Sequence, residues 1–302
     1  MTADAIAAEG LTKRYGRSRG IEDVSFGVRA GEVLGFLGPN GAGKTTTIRT
    51  LLGLLRPSGG TARILGFDVW REGVAARART GFLPGEFSFD AQVTGAELLD
   101  LFADLRGVGD RAYARALAQR FEADLTRPFG ELSRGNRQKL GLIQALVHRP
   151  AVVVMDEPTA GLDPLMQEEF MRLVGELRGD GTTVFLSSHN LAEVERMCDR
   201  VGVLREGRLA AVETVEAITG RALRHVTLRF AGDAPVQDFS PLPSVSDLRA
   251  DGPRLTFLLA GEPNEVIRTA ARHRLLDAEI ARPSLEDAFA AFYGHLGDGA
   301  QP

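Results

Sequence analysis

Residues 33–46 read Val33-Leu34-Gly35-Phe36-Leu37-Gly38-Pro39-Asn40-Gly41-Ala42-Gly43-Lys44-Thr45-Thr46. A short apolar strand runs into a glycine loop, and a lysine followed by threonines opens a helix. Ile48, Leu51, Leu52 and Leu55 then recur at helical spacing. Gly38, Gly41 and Gly43 let the backbone curl so that successive N–H groups point at phosphate oxygens, and the helix adds its partial positive end. Lys44 is placed to reach the β- and γ-phosphates as a point charge, and the Thr45 hydroxyl to sit on a magnesium ion. A glycine-rich hairpin loop is the competing reading, but it leaves both the strand before and the helix after without a reason. The stretch predicts a nucleoside triphosphate site built from Gly38, Pro39, Asn40, Gly41, Ala42, Gly43, Lys44, Thr45 and Thr46.

The rest of the chain sets the bounds. Its 302 residues fit a domain of about 200 residues plus a smaller one. Hydrophobic and charged fractions of 44% and 25% are those of an ordinary globular protein. A net charge of −4 gives no basic footprint for nucleic acid. The single cysteine, Cys198, excludes an intrachain disulfide and suits a reducing compartment. No stretch of eighteen apolar residues is present, and Met1-Thr2-Ala3-Asp4 does not begin a secretory leader. A cytoplasmic location is expected.

Residues 5–37 alternate like strands and turns, which predicts a β-rich N-terminal layer. Arg56-Pro57-Ser58-Gly59-Gly60 reads as a breaker ahead of a strand over 61–66. Between about 88 and 148 the pattern is helical: Thr94-Gly95-Ala96-Glu97 is a capping box before the stripe Leu98, Leu101, Phe102, Leu105, and a second amphipathic segment covers 110–121. Parallel-strand character returns at 151–155, in a helix opened by Asp163 and Pro164, and in strands over 182–186 and 200–204. Strands alternating with helices imply an α/β fold with a covered parallel sheet. Past residue 220 come candidate strands over 223–230 and 254–259, a proline-rich loop over 235–243, the turn Asp251-Gly252-Pro253 and two helices, the second behind a capping box at 284–287. The expected organisation is a nucleotide-binding domain over 1–220, a small α+β domain over 221–293 and a disordered tail over 294–302.

Two further constellations carry chemistry. Asp156-Glu157-Pro158 follows the 152–155 strand at its carboxyl end, where open parallel sheets bind ligands. If that strand lies beside the phosphate-loop strand, Asp156 can hold magnesium through water while Glu157 faces the γ-phosphate and can polarise an attacking water; an acidic turn capping a buried strand is the plainer reading. Leu132-Ser133-Arg134-Gly135-Asn136 opens another helix, and Ser133 there is either an ordinary N-cap or, with the Gly135 amide, part of a second anion site that a second copy of the chain would have to fill.

Taken in order, 38–45, 132–136, 152–157, Gly161-Leu162-Asp163 and Ser187-Ser188-His189 resemble the nucleotide-binding domain of ATP-binding cassette (ABC) transporters, over roughly residues 5–220. The resemblance implies a P-loop NTPase cassette working as a head-to-tail homodimer, with two ATP molecules and Mg2+ at the interface. It makes Glu157 the general base and His189 the switch residue on the γ-phosphate. Ser133 and Gly135 contact the other subunit's γ-phosphate, Asp163 lies in the loop crossing the dimer axis, and Tyr15 stacks on adenine. Taken alone, His189 also reads as a surface histidine and Tyr15 as edge packing. Two positions depart from the family pattern: Arg134 and Asn136 replace a glycine and a glutamine, and Gly85 stands where a glutamine follows the proline. The region after 220, and especially the run from Arg282 to Gly294, resembles the accessory C-terminal domain of bacterial drug-export and related ATPases. The implied function is the ATPase subunit of an exporter, peripheral on the inner face of the membrane through separate transmembrane subunits. A soluble ABC ATPase acting on ribosomes or DNA is the alternative, disfavoured by a single cassette and the absence of zinc-binding cysteines.

Overall fold

The structure, a computed structural model, describes residues 4–16, 18–220 and 223–281. It divides into two compact units, one ending at Glu213 and the other starting at Thr214, ahead of the boundary expected at 220.

In the first unit, β1 (Asp4–Tyr15) and β2 (Ser18–Arg29) precede β3 (Val33–Leu37), which feeds α1 (Lys44–Leu51). Next come β4 (Gly59–Ile64), β5 (Phe67–Asp68), α2 (Gly73–Ala78) and β6 (Thr80–Leu83). Three helices follow, α3 (Gly95–Leu105), α4 (Ala112–Arg120) and α5 (Arg134–Leu146), then β7 (Val152–Asp156), α6 (Pro164–Gly179), β8 (Thr183–Ser188), α7 (Leu191–Met197), β9 (Arg200–Arg205) and β10 (Arg208–Thr214). An antiparallel sheet of order β2-β1-β4-β5 stands beside a six-stranded sheet of order β10-β9-β3-β8-β7-β6. Their shared core joins Phe26 of the first to Phe36 and Phe185 of the second, with ring centroids 4.7 to 5.4 Å apart, and closes over Ile48 and Leu51 of α1.

The register of the parallel strands places the chemistry. Leu37 pairs with Ser188, Asp156 with Ser187 and Met155 with Leu83, so β3, β8, β7 and β6 all end on one edge. Strand β7 is not beside β3, the condition on which the sequence reading of Asp156 and Glu157 is framed: β8 is inserted between them. The insertion puts Ser187 in the middle of the site. Helix α3 carries the predicted capping box, with Glu97 N–H on Thr94 and the Glu97 carboxylate on Thr94 N–H, and its buried stripe is Leu98, Leu99 and Ala103. The helical insert returns to the sheet through α5, where a Cβ on Gly81 of β6 would lie 2.1 Å from the Ala145 carbonyl.

The second unit comprises α8 (Val215–Gly220), β11 (Arg224–Phe230), α9 (Val236–Phe239), β12 (Val245–Asp251), β13 (Arg254–Leu259), α10 (Asn264–Ala270) and β14 (Leu275–Ala281). Its sheet is antiparallel in the order β12-β13-β11-β14, a split βαβ arrangement. Val226, Leu228, Phe230, Leu255, Phe257 and Leu259 alternate onto one face and bury Phe239, Val266 and Ala270. Asp251 and Arg254 pair across the predicted turn. The capping box at 284–287, the run from Arg282 to Gly294 and the tail over 294–302 lie outside the described residues.

Candidate active site

Helix α1 begins without a side-chain cap. Its N-cap is Gly43 at φ +108°, a backbone conformation that L side chains rarely adopt, and a Cβ there would also lie 2.8 Å from Ile21. A serine or aspartate in that place would satisfy the first N–H groups of the helix; glycine leaves them for a ligand. Lys44, only 6% exposed, folds back so that Nζ donates to the Gly38 carbonyl at 2.6 Å and to that of Pro39 at 3.4 Å, and pairs with Glu157 Oε1 at 3.1 Å.

Opposite the loop, Thr45 Oγ1 donates to Asp156 Oδ2 at 2.7 Å and Ser187 Oγ to Asp156 Oδ1 at 2.6 Å. Glu157 takes a left-handed backbone at φ +50°. Its N–H donates to Ser187 Oγ at 3.0 Å and to the Ser187 carbonyl at 3.2 Å, which fixes that turn, while Gln138 Nε2 of α5 donates to the carbonyls of Glu157 and Pro158. The other Glu157 oxygen, Oε2, lies 2.7 Å from His189 Nδ1. Thus Lys44, Thr45, Asp156, Glu157 and His189, spread over 146 positions of sequence, form one hydrogen-bonded group. Ser187 is its fully buried hinge.

Two carboxylates, a lysine and a hydroxyl at the end of an uncapped helix can bind a polyanion, hold a divalent ion and take a proton from water. Thr45 Oγ1 and Asp156 Oδ2 converge as hard oxygen donors suited to Mg2+. Among the described residues no three His, Cys, Asp or Glu side chains gather as a metal cage.

Ser133, Gly135 and Asp163 make a second group. Ser133 caps α5 by accepting the Asn136 N–H, and Asp163 caps α6 by accepting that of Met166. Gly135 approaches the loop before Asp163 so closely that a Cβ would lie 2.7 Å from the Gly161 carbonyl. The two departures at this motif have local partners: the Arg134 stem packs over Gly161, and Asn136 Oδ1 accepts the Asp124 N–H. No hydrogen bond or ion pair among the described residues joins Ser133 or Gly135 to the Lys44 group. Tyr15, 44% exposed at the end of β1, has Lys13 Nζ 5.5 Å from its ring centre. It flanks Gly20, whose carbonyl faces Gly43. Gly85 lies against Asp156, where a Cβ would be 3.4 Å from Oδ2, so a longer side chain there would reach the metal-side carboxylate.

Sequence reading did not assign Ser187, Gln138 or Glu193 to the site. Only the strand-end pair Ser187-Ser188 carried a signal, as hydroxyls next to the predicted histidine.

Comparison with known proteins matches residues 21–160 to the ABC transporter family model. A daunorubicin resistance ATP-binding protein of Streptomyces coeruleorubidus is 35% identical over all of this chain and 98% of its own length. A Nod factor export ATP-binding protein of Ralstonia nicotianae is 33% identical, covering 96% of this chain and 94% of that one. Among solved structures, the ATP-binding subunit of an ABC transporter aligns at TM-score 0.66 and 32% identity over 71% of this chain and 91% of that one. Similarity running end to end at such identity is membership rather than likeness: the chain belongs to the ABC transporter family, as an ATP-binding and ATP-hydrolysing subunit of the drug-export kind.

Proposed function

We propose that the chain works as a Mg2+-dependent homodimer, with each ATP held between the Lys44 group of one copy and Ser133 and Gly135 of the other, and drives export through separate membrane subunits. The observation that carries this is the Lys44–Glu157–His189 chain of contacts beside an uncapped helix. Phosphates compete with Glu157 for the Lys44 ammonium; once Lys44 turns to them, Glu157 is left with His189 and free to accept the proton of a water attacking the γ-phosphorus. ADP and phosphate are the products. Thr45 and Asp156 would hold Mg2+, which when bound offsets phosphate charge. Tyr15 supplies an exposed aromatic face for adenine.

Within one copy, Ser133 is fully explained as an N-cap, so its phosphate role requires the second copy. Ser133→Arg is expected to leave ATP binding by the monomer intact while abolishing ATP-driven dimerisation and hydrolysis, read by calorimetry, light scattering and phosphate release. Loss of monomer binding would instead assign Ser133 a structural role only.

No helix among the described residues is long and apolar enough to cross a membrane, so the proposed transport path belongs to the partner chains and this subunit sits at the inner membrane face through them. Leu54, Phe82, Phe87, Phe102 and exposed Glu86 line a groove, and Arg77 and Arg106 in it donate to backbone carbonyls but have no ion-pair partner among the described residues. That chemistry suits a partner segment with apolar anchors and a carboxylate. Glu86→Ala is expected to keep basal ATPase within about threefold of wild type but to impair its stimulation by the membrane subunit more severely. Abolished basal hydrolysis with weakened magnesium dependence would make Glu86 a metal ligand instead. The relatives' names point to export of drugs and Nod factors. For this chain the cassette is proposed to end near residue 220, with the following α+β unit accessory to it.

A further inference from the structure

Helix α7 begins in an unusual way. Asn190 is its N-cap and Glu193 stands three residues on, the spacing at which a glutamate ordinarily reaches back in solvent to the N-cap N–H. Here the Asn190 N–H goes to Ser188 Oγ at 3.0 Å, and the Glu193 carboxylate turns inward, 7% exposed. Its Oε2 accepts from Thr159 Oγ1 at 2.7 Å and from Ser188 Oγ at 3.3 Å, and its Oε1 accepts from Asn190 Nδ2 at 3.2 Å. No cation pairs with it among the described residues. A buried carboxylate held only by neutral donors is a costly arrangement where an exposed capping box was available at the same position.

The donors explain what the arrangement achieves. Ser188 and Asn190 flank His189, and Thr159 lies in the turn between Glu157 and Asp163. That turn is closed by Ala160 N–H on the Glu157 carbonyl and Leu162 N–H on the Thr159 carbonyl, each at 3.1 Å. Thr159 is itself buried, so its hydroxyl has little access to water as a substitute partner.

We infer that Glu193 is a positioning residue that ties the segment carrying His189 to the loop carrying Asp163, so that a displacement of the histidine is carried to the loop offered to the second copy. The inference rests on the proposed roles of His189 and Asp163. Separating the two segments takes from the buried carboxylate its shortest hydrogen bond and leaves the buried Thr159 hydroxyl without a partner, so the two are held together.

The test uses the full chain with ATP and magnesium. Thr159→Val removes one hydroxyl at nearly constant shape, and Glu193→Gln removes the charge. Each is expected to lower turnover about tenfold while ATP affinity of the isolated subunit stays within about twofold, and the double variant to be no slower than the slower single. Thr159→Ser, which keeps the hydroxyl, is expected to restore wild-type turnover. His189→Ala is measured in parallel. Wild-type hydrolysis in His189→Ala would sink the proposed site itself. If His189→Ala is inactive but folded Thr159→Val turns over normally, or the two losses multiply, or Thr159→Ser is as slow as Thr159→Val, the tie through Glu193 is wrong. Should Glu193→Gln fail to fold, the comparison of Thr159→Val with Thr159→Ser decides alone.

Discussion

Lys44→Ala is expected to weaken ATP binding by at least about tenfold and turnover by about a hundredfold or more. The ammonium is buried against the Gly38 carbonyl and Glu157, and no lysine or arginine other than Lys44 pairs with that carboxylate among the described residues. Charge-assisted hydrogen bonds to phosphate contribute about 1.5–3 kcal/mol each, and alanine supplies none. The uncapped α1 terminus still offers its N–H groups, so residual binding is expected rather than complete loss. Turnover falls further than affinity, because the lost charge also faces the oxygens on which negative charge accumulates during transfer. Calorimetry with ATP and a phosphate-release assay separate the two effects. Wild-type affinity would place Lys44 outside the phosphate site.

How much of this was legible in the sequence varies with the range of the interaction. Local signals read correctly: the loop at 38–45, the Thr94 capping box, and Asp163 with Pro164 opening α6 each depend on residues within one turn. Gly59-Gly60 was misread as a breaker. The pair starts β4, where Gly60 at φ +76° forms an irregularity against Gly10 of β1 and passes so close that a Cβ would collide with the Gly10 carbonyl. Strands β12 and β14 gave no signal, because they are the edges of their sheet and carry exposed Asp247, Arg249, Asp277 and Glu279 in place of an apolar alternation. Strand order was also hidden: nothing in residues 152–156 tells whether β3 or β8 is their neighbour, so Ser187 could not be placed between Asp156 and Glu157. The Glu193–Thr159 contact spans 34 residues, too far for any local pattern to show it.

The left-handed backbone at Glu157 shows how the proposed base is aimed. A non-glycine residue at φ +50° carries about 1–3 kcal/mol of conformational cost, offset here by hydrogen bonds from its N–H to Ser187 and to its carbonyl from Gln138. That turn aims Oε1 at Lys44 and Oε2 at His189, so one carboxylate faces both the lysine and the histidine proposed to contact phosphate.

Glu157→Gln therefore separates binding from chemistry at a single atom. Glutamine preserves the size and one acceptor but lacks the negative charge that draws a proton from water, and the phosphate-binding groups around it are untouched. Turnover is expected to fall by at least about a hundredfold while ATP binding persists. With hydrolysis blocked, ATP and magnesium are expected to trap the closed homodimer. The decisive measurement is size-exclusion chromatography of Glu157→Gln with ATP and magnesium, alongside its phosphate release. A stable dimer with negligible release is the predicted result; wild-type phosphate release, with no dimer retained, would contradict the account.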